Sequence, residues 1–170
     1  MPAENNDHLI DECRRIEDDS KYCAEAHYII AADAERVSFW VKFIPALAAA
    51  VSGIALLSGA PNWVAWFSVI SGVAFAVESI IGPEKRREEH SQAGKSYTAL
   101  KHESRSLYQT FYKEIDRKSF TVLVQILRER YNMIAKLTPP TTIDSFEKGR
   151  VRIKAGRHTP DFAELERESE

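Results

Sequence analysis

The sequence predicts an all-α protein: a two-span transmembrane helical hairpin with long cytosolic helical arms that form a bundle. Three observations carry this expectation. They are a long stretch without charge, a turn signal that divides it, and a heptad spacing in the chain that leads into it.

Averaged over its 170 residues the chain looks like an ordinary soluble protein, with 44% hydrophobic and 28% charged residues and a net charge of −2. The distribution departs from that average. No Asp, Glu, Lys or Arg occurs from Phe43 to Val77, and at this charge content such a gap would arise by chance on the order of once in 10⁵ trials. As one straight helix the stretch would measure roughly 50 Å against a hydrocarbon core of ~30 Å, so it must be divided. Ser58-Gly59-Ala60-Pro61-Asn62 divides it, because Gly, Pro and Asn break helices and close turns. Span one is then 37–57, the turn 58–62 and span two 63–81, each span long enough to cross a bilayer once. A signal peptide does not fit, since the apolar run starts late and follows an acidic segment. A buried hairpin in a soluble bundle is the alternative, but one small domain has too little surrounding protein to cover two such helices on every side.

Lys and Arg flank the hairpin on one side only. Arg36 and Lys42 stand at its entry and Lys85, Arg86 and Arg87 at its exit, whereas the connecting loop is uncharged. The expected topology is therefore two crossings with both termini in the cytoplasm. Trp40 at one level and Trp63 with Trp66 at the other suit the two membrane interfaces.

Ahead of the membrane, Leu9, Cys13, Ile16, Ser20, Cys23, His27, Ile30, Ala34, Val37, Val41 and Ile44 follow at alternating spacings of four and three. That spacing predicts a helical arm over 7–36 whose seam runs on into span one. After the membrane, Gly82-Pro83 interrupts the chain. A second arm over 84–137 follows, with one stripe on Tyr97, Leu100, Ser104, Leu107 and Phe111 and another on Phe120, Leu123, Leu127, Ile134 and Leu137. Unbroken, this arm would be ~80 Å long, so a fold-back is expected near 116–119. Residues 1–35 hold ten acids and three bases, and residues 84–137 hold seven acids and twelve bases. Net charges of −7 and +5 favour pairing of the arms in a bundle, although a basic arm beside a bilayer also attracts anionic lipid.

The two-span helical domain is thus 1–137, and Thr138-Pro139-Pro140 ends it. In the charged tail, 138–170, Lys148, Arg150, Arg152, Lys154 and Arg157 surround Val151 and Ile153, a basic patch suited to anionic ligands. Charge runs of this kind are more often solvated, poorly ordered tail, and nucleic acid is not expected as a partner. Thr159-Pro160 marks the start of a last short helix.

Lys42 and Glu78 sit symmetrically about residue 60, at nearly the same depth, and are expected to be neighbours. They either mark the cytosolic boundary or form a charged ring at the inner mouth of an oligomeric pore. Ser68, Ser71, Phe75 and Glu78 share one stripe of span two that can line water. Ala49 with Gly53, and Ser68 with Gly72 and Ala76, recur at spacing four, which permits close helix packing and homo-oligomers. Pro45 can kink span one where it meets the arm.

Catalytic motifs are scarce. Ala93-Gly94-Lys95-Ser96 lacks the earlier glycine of a phosphate-binding loop, its place being taken by Glu89. Cys23 and His27 share a helix face without the second pair that a structural zinc site needs. Cys13 and Cys23 lie ~15 Å apart along one helix, too far to bridge. No catalytic residue, metal or cofactor is expected.

Tyr22-Cys23-Ala24-Glu25-Ala26, the Ala-rich run to Glu35-Arg36, Trp40, and a two-span hairpin followed by a long charged helix together resemble the SLATT family. These are two-span effector domains found beside second-messenger nucleotide synthetases and SLOG nucleotide sensors in bacterial conflict systems. The resemblance spans roughly 7–137 and rests on layout. It implies an antiviral effector that oligomerises in the lipid bilayer and permeabilises the inner membrane. It implies too a separately encoded sensor or nucleotide-signal-producing partner. The rival expectation is a membrane adaptor that anchors a cytosolic partner through its arms.

Overall fold

The computed structural model describes residues 7–156, and the side chains of all of these except 78–81. Its α-helices are α1 (Asp7–Leu57), α2 (Ala65–Ile81), α3 (Pro83–Ser106), α4 (Arg117–Leu137) and α5 (Ile143–Lys154). A 3-10 turn at Asn62–Val64 precedes α2, and a π-helical turn at Leu107–Phe111 follows α3. No strand occurs among the described residues. The chain divides into two compact units, Ile30–Ser91 and the residues on either side of it.

The flanking unit is a helical bundle of α1 up to Ile29, α3 from Gln92, α4 and α5. Its core is Leu9, Cys13, Ile16, Leu100, Leu107, Phe120, Val124 and Leu127, with Phe120, Ile16 and Cys13 fully buried. Each such Phe or Ile is worth ~1.5–3 kcal/mol of transfer free energy. The acidic and basic arms do pair. Glu17 accepts from Arg105 Nε at 2.7 Å and from the Tyr108 hydroxyl at 2.6 Å, Glu12 accepts from Arg128 Nε at 2.6 Å, and Ser104 donates to the Cys13 carbonyl at 2.7 Å. Gly94 is required by a close approach. A Cβ there would lie 2.7 Å from Cε1 of Tyr28, whose hydroxyl is 3.2 Å from Thr98 Oγ1.

The fold-back falls where expected. Asp116 caps α4 by accepting from the backbone N–H groups of Lys118 and Ser119. The two predicted stripes need adjustment at their ends. The π turn inserts a residue and rotates the helix, so Phe111 leaves the buried face that holds Tyr97, Leu100, Ser104 and Leu107. On α4, Val124 takes a core place, and Leu123 and Leu137 are exposed.

Residues 143–154 correct the expectation of a solvated, poorly ordered tail. Thr142 and Ser145 form a reciprocal capping box that starts α5. This helix rests on α1: Phe146 meets Tyr22, Gly149 sits where a Cβ would be 3.3 Å from Glu25 Cγ, and Arg152 reaches Glu25 at 3.2 Å. The charge run misled because α5 is pinned by tertiary contacts that composition does not reveal. The helix start read at Thr159-Pro160 lies outside the described residues.

The Ile30–Ser91 unit is a helical hairpin. α1 ends in a Schellman closure, with Ala60 N–H bonded to the Ala55 carbonyl at 3.0 Å and Gly59 N–H to Leu56 at 3.1 Å. Gly59 takes φ +86°, which favours glycine, and Pro61 prevents the helix from resuming. Among the described residues α1 is the one helix long and apolar enough to cross a membrane by length and composition, and α2 has 17 residues.

The seam changes phase on entering this unit. Val37, Val41 and Ile44 are exposed, and the inward line runs instead through Ala34, Ser38, Lys42, Pro45, Ala49 and Ser52. A straight α-helix drifts ~20° per heptad against a strict seven-residue repeat, so four heptads displace the seam by about one residue. The result is an inverted distribution: Ser38, Ser52 and Ser71 are buried, whereas Trp40, Ile44, Ile54, Ile70 and Val73 each expose more than half of their surface.

Candidate functional site

Pro83 and Glu84 open α3, the usual place for a proline and for a carboxylate that faces a helix N-terminus. Two turns of α1 bring donors to that carboxylate. Lys42 Nζ donates to Glu84 Oε2 at 3.0 Å, Ser38 Oγ donates to the same oxygen at 3.1 Å, and Arg87 Nε donates to Oε1 at 2.8 Å. Hydrogen bonds from Lys42, Arg87 and Ser38, in that order, hold the Glu84 carboxyl down at about 2. Glu84 is 45% exposed, so solvent screens the cluster and its stabilising effect is modest.

In the structure Lys42 pairs with Glu84, and the expected Lys42–Glu78 neighbourhood involves a residue whose side chain is not among the described ones. Gly82 leaves α2 in an extended conformation (φ −71°, ψ 169°), after which Glu84 faces Ser38 and Lys42 of α1. Glu84 and Ser38 were missed. The line 38, 42, 45, 49, 52, which repeats the heptad spacing one residue out of phase, is the signal that finds Ser38.

Farther along the hairpin, hydroxyls join the two helices. Ser52 Oγ donates to the Val64 carbonyl at 2.8 Å and accepts from Ser68 Oγ at 2.9 Å. Beside them Ala48, Val51, Ala55, Trp63, Val64 and Phe67 line an apolar cleft of about 300 Å³. The proposed water-lining stripe is therefore divided within one chain: Ser68 and Ser71 turn inward and Phe75 is exposed. Of the small residues, Ala49 is half-buried, and Gly72 and Ala76 are exposed. A Cβ at Gly53 or Gly72 would meet nothing within 4 Å, so the chain leaves that space open. Pro45 lies inside the continuous α1.

Trp40 packs edge-on against Phe39 and Phe43, and Trp63 against Phe67. Lys85 and Arg86 are exposed, and Arg87 belongs to the Glu84 cluster. On α5, Lys148 pairs with Asp144, Arg150 with Glu147 and Arg152 with Glu25, while Lys154 is exposed and Arg157 lies outside the described residues. Cys13 is buried in the bundle, where loss of solvation pushes its thiol up to about 11. Among the described residues no group of three or more His, Cys, Asp or Glu is placed to hold a metal ion.

The chain is thus a helical bundle in one unit and an apolar hairpin with a polar seam in the other. No family model matches the chain, and no curated protein and no solved structure matches it.

Proposed function

We propose that the chain is a two-span protein of the bacterial inner membrane, with both termini in the cytoplasm, acting as a non-enzymatic effector that oligomerises and permeabilises that membrane. The observation that carries the membrane reading is the inverted burial of the hairpin, where only 6% of the most apolar 18-residue window of α1 is buried. Water would penalise such an outward face, and lipid tails would not. α2 completes the second crossing with the help of the 3-10 turn and the Trp63–Trp66 end.

The resemblance of the sequence layout to the SLATT family supports the effector reading. One hairpin spends its Ser52 and Ser68 hydroxyls on itself, so a conduit needs several copies, and the open space at Gly53 and Gly72 suits helix approach between them. The Lys42–Glu84–Arg87 cluster, at the cytosolic end of the spans, is the place where a signal partner would act on them. A membrane adaptor is the second reading, favoured by an open apolar groove on the bundle lined by Leu107, Phe111, Leu123 and Ile126.

Membrane-potential dye measurements in bacteria induced for the chain together with its neighbouring gene products separate the two readings. The effector reading expects depolarisation that requires an intact hairpin and shifts in Glu84→Gln and Glu78→Ala. Full polarisation with recovery of a stably bound cytosolic protein would establish the adaptor instead.

A further inference from the structure

Between Phe43 and Val77, tryptophans apart, the only side chains with an oxygen or nitrogen are Ser52, Ser58, Asn62, Ser68 and Ser71. Ser58 and Asn62 belong to the turn end of the hairpin. Along the helices themselves Ser52 and Ser71 are buried and Ser68 is half-buried, all on the seam side. Every exposed residue of 43–57 and 65–77 is Gly, Ala, Val, Leu, Ile, Phe or Trp. A ring of such hairpins, each closed as in the structure, would therefore line its centre with alkyl and aromatic groups alone. A narrow passage of that kind sheds its water and blocks ions. The seam is the one polar surface that the two helices hold.

Local geometry lets that seam part. Lipid tails supply no hydrophobic force between spans, so packing and hydrogen bonds must hold the pair together. Both are thin here. Two hydroxyl bonds, Ser52 to the Val64 carbonyl and Ser68 to Ser52, join the helices, and beside them the cleft of about 300 Å³ interrupts the packing. Pro45 supplies a hinge. It lies inside α1 with no N–H to give to the Val41 carbonyl, and helices bend where that bond is missing. On the near side of the hinge Ser38 and Lys42 bond to Glu84, so that side is anchored while the far side can swing.

Building on the effector reading above, we propose that the conducting form is an opened hairpin: α1 swings away from α2 about Pro45, and Ser52, Ser68 and Ser71 turn to the water of a conduit between copies. The closed hairpin of the structure is then the shut form. Water bonds to the freed hydroxyls nearly as well as their present partners do, so opening gives up packing rather than polar contacts.

Ser52 Oγ and Ser68 Oγ lie 2.9 Å apart, which puts cysteines in their places within reach of a disulfide. Ser52→Cys/Ser68→Cys in a Cys13→Ser/Cys23→Ser background, induced in bacteria with the neighbouring gene products, tests the proposal with a membrane-potential dye. Depolarisation is expected in the reduced state and should be lost when mild oxidation joins the spans, while the cysteine-free chain responds alike with and without oxidant. Full depolarisation with the spans joined, verified by peptide mapping, would overturn the proposal. Silence of the cysteine-free chain as well would remove the effector reading, and this inference with it. A second readout needs no lock: in depolarised cells Ser71→Cys should react with a small charged thiosulfonate, and Val73→Cys on the outer face should not. Reaction at Val73→Cys with Ser71→Cys protected would assign the conduit to the outer faces of closed hairpins and contradict the proposal.

Discussion

The bundle and the hairpin use opposite interiors. In the bundle, Phe120, Ile16, Leu100 and Val124 are buried, and the charges taken inside, Glu17 and Glu25, are paired with Arg105 and Arg152. In the hairpin, Ser38, Ser52 and Ser71 are buried, and Phe39, Ile44, Ile54 and Val73 face outward. The same α1 serves both, inward up to Ile29 by Leu9, Cys13, Ile16 and Ile29 beside the buried Glu17, Ser20, Glu25 and His27, and by small and polar residues beyond Ala34. On the membrane reading proposed above, the difference teaches that solvent, rather than helix propensity, decides which face of a helix is its interior. A water-facing bundle gains by hiding apolar area, whereas a lipid-facing hairpin gains by joining its polar groups to one another.

Large-to-small substitution separates the two regions most strongly. Phe120→Ala should destabilise the bundle by ~3–5 kcal/mol, because it empties a fully enclosed site. Val73→Ala, on the outer face of the hairpin, should cost under ~1 kcal/mol in lipid, where no cavity is made. Unfolding titrations in nanodiscs measure both, and equal losses would break the comparison. Substitution by charge should invert the ranking. Ile54→Lys places a charge among lipid tails at ~3 kcal/mol on insertion scales, and Val122→Lys on the exposed side of α4 should stay within ~0.5 kcal/mol. Membrane-insertion efficiency reads the first and bundle stability the second. Ser52→Ala removes a two-sided contact in the seam and should cost ~0.6 kcal/mol, the average for a hydrogen bond between membrane helices.

The smallest expected effect is one of pH. The Glu84 carboxyl is held at about 2 against an ordinary 4.5. A carboxyl depressed in the folded state contributes stability that is complete above 4.5 and fades as the pH falls from there towards 2. Hairpin stability should therefore decline over that window, and Glu84→Gln should flatten the decline. A decline that is the same in Glu84→Gln would assign it to other carboxyls.

Much of the fold was legible because its signals are local. The charge gap, Gly59-Ala60-Pro61 and Thr138-Pro139-Pro140 each act within a few residues, and they mark the ends of α1 and α4 in the structure. Asp116 announces α4 for the same reason, as a side chain that bonds N–H groups two and three residues on. What escaped depends on accumulated geometry or on distant partners. The drift of the α1 seam onto Ser38 and Ser52 builds up over four heptads. The Glu84 cluster needs the extended Gly82, and α5 needs Glu25, which lies 127 residues before Arg152. Of the candidate site, Lys42, Arg87 and Ser68 were found, and Glu84 and Ser52, which bond to them, were not.

The central claim is that the hairpin crosses the membrane twice and returns to the side it left. Single cysteines at Asn62 and at Lys85, in a Cys13→Ser/Cys23→Ser background, probed with a membrane-impermeant maleimide on intact cells, test it most directly. The account predicts labelling of Asn62→Cys from outside and of Lys85→Cys only after permeabilisation. Labelling of both from the same side, or recovery of the protein in the soluble fraction, would contradict it.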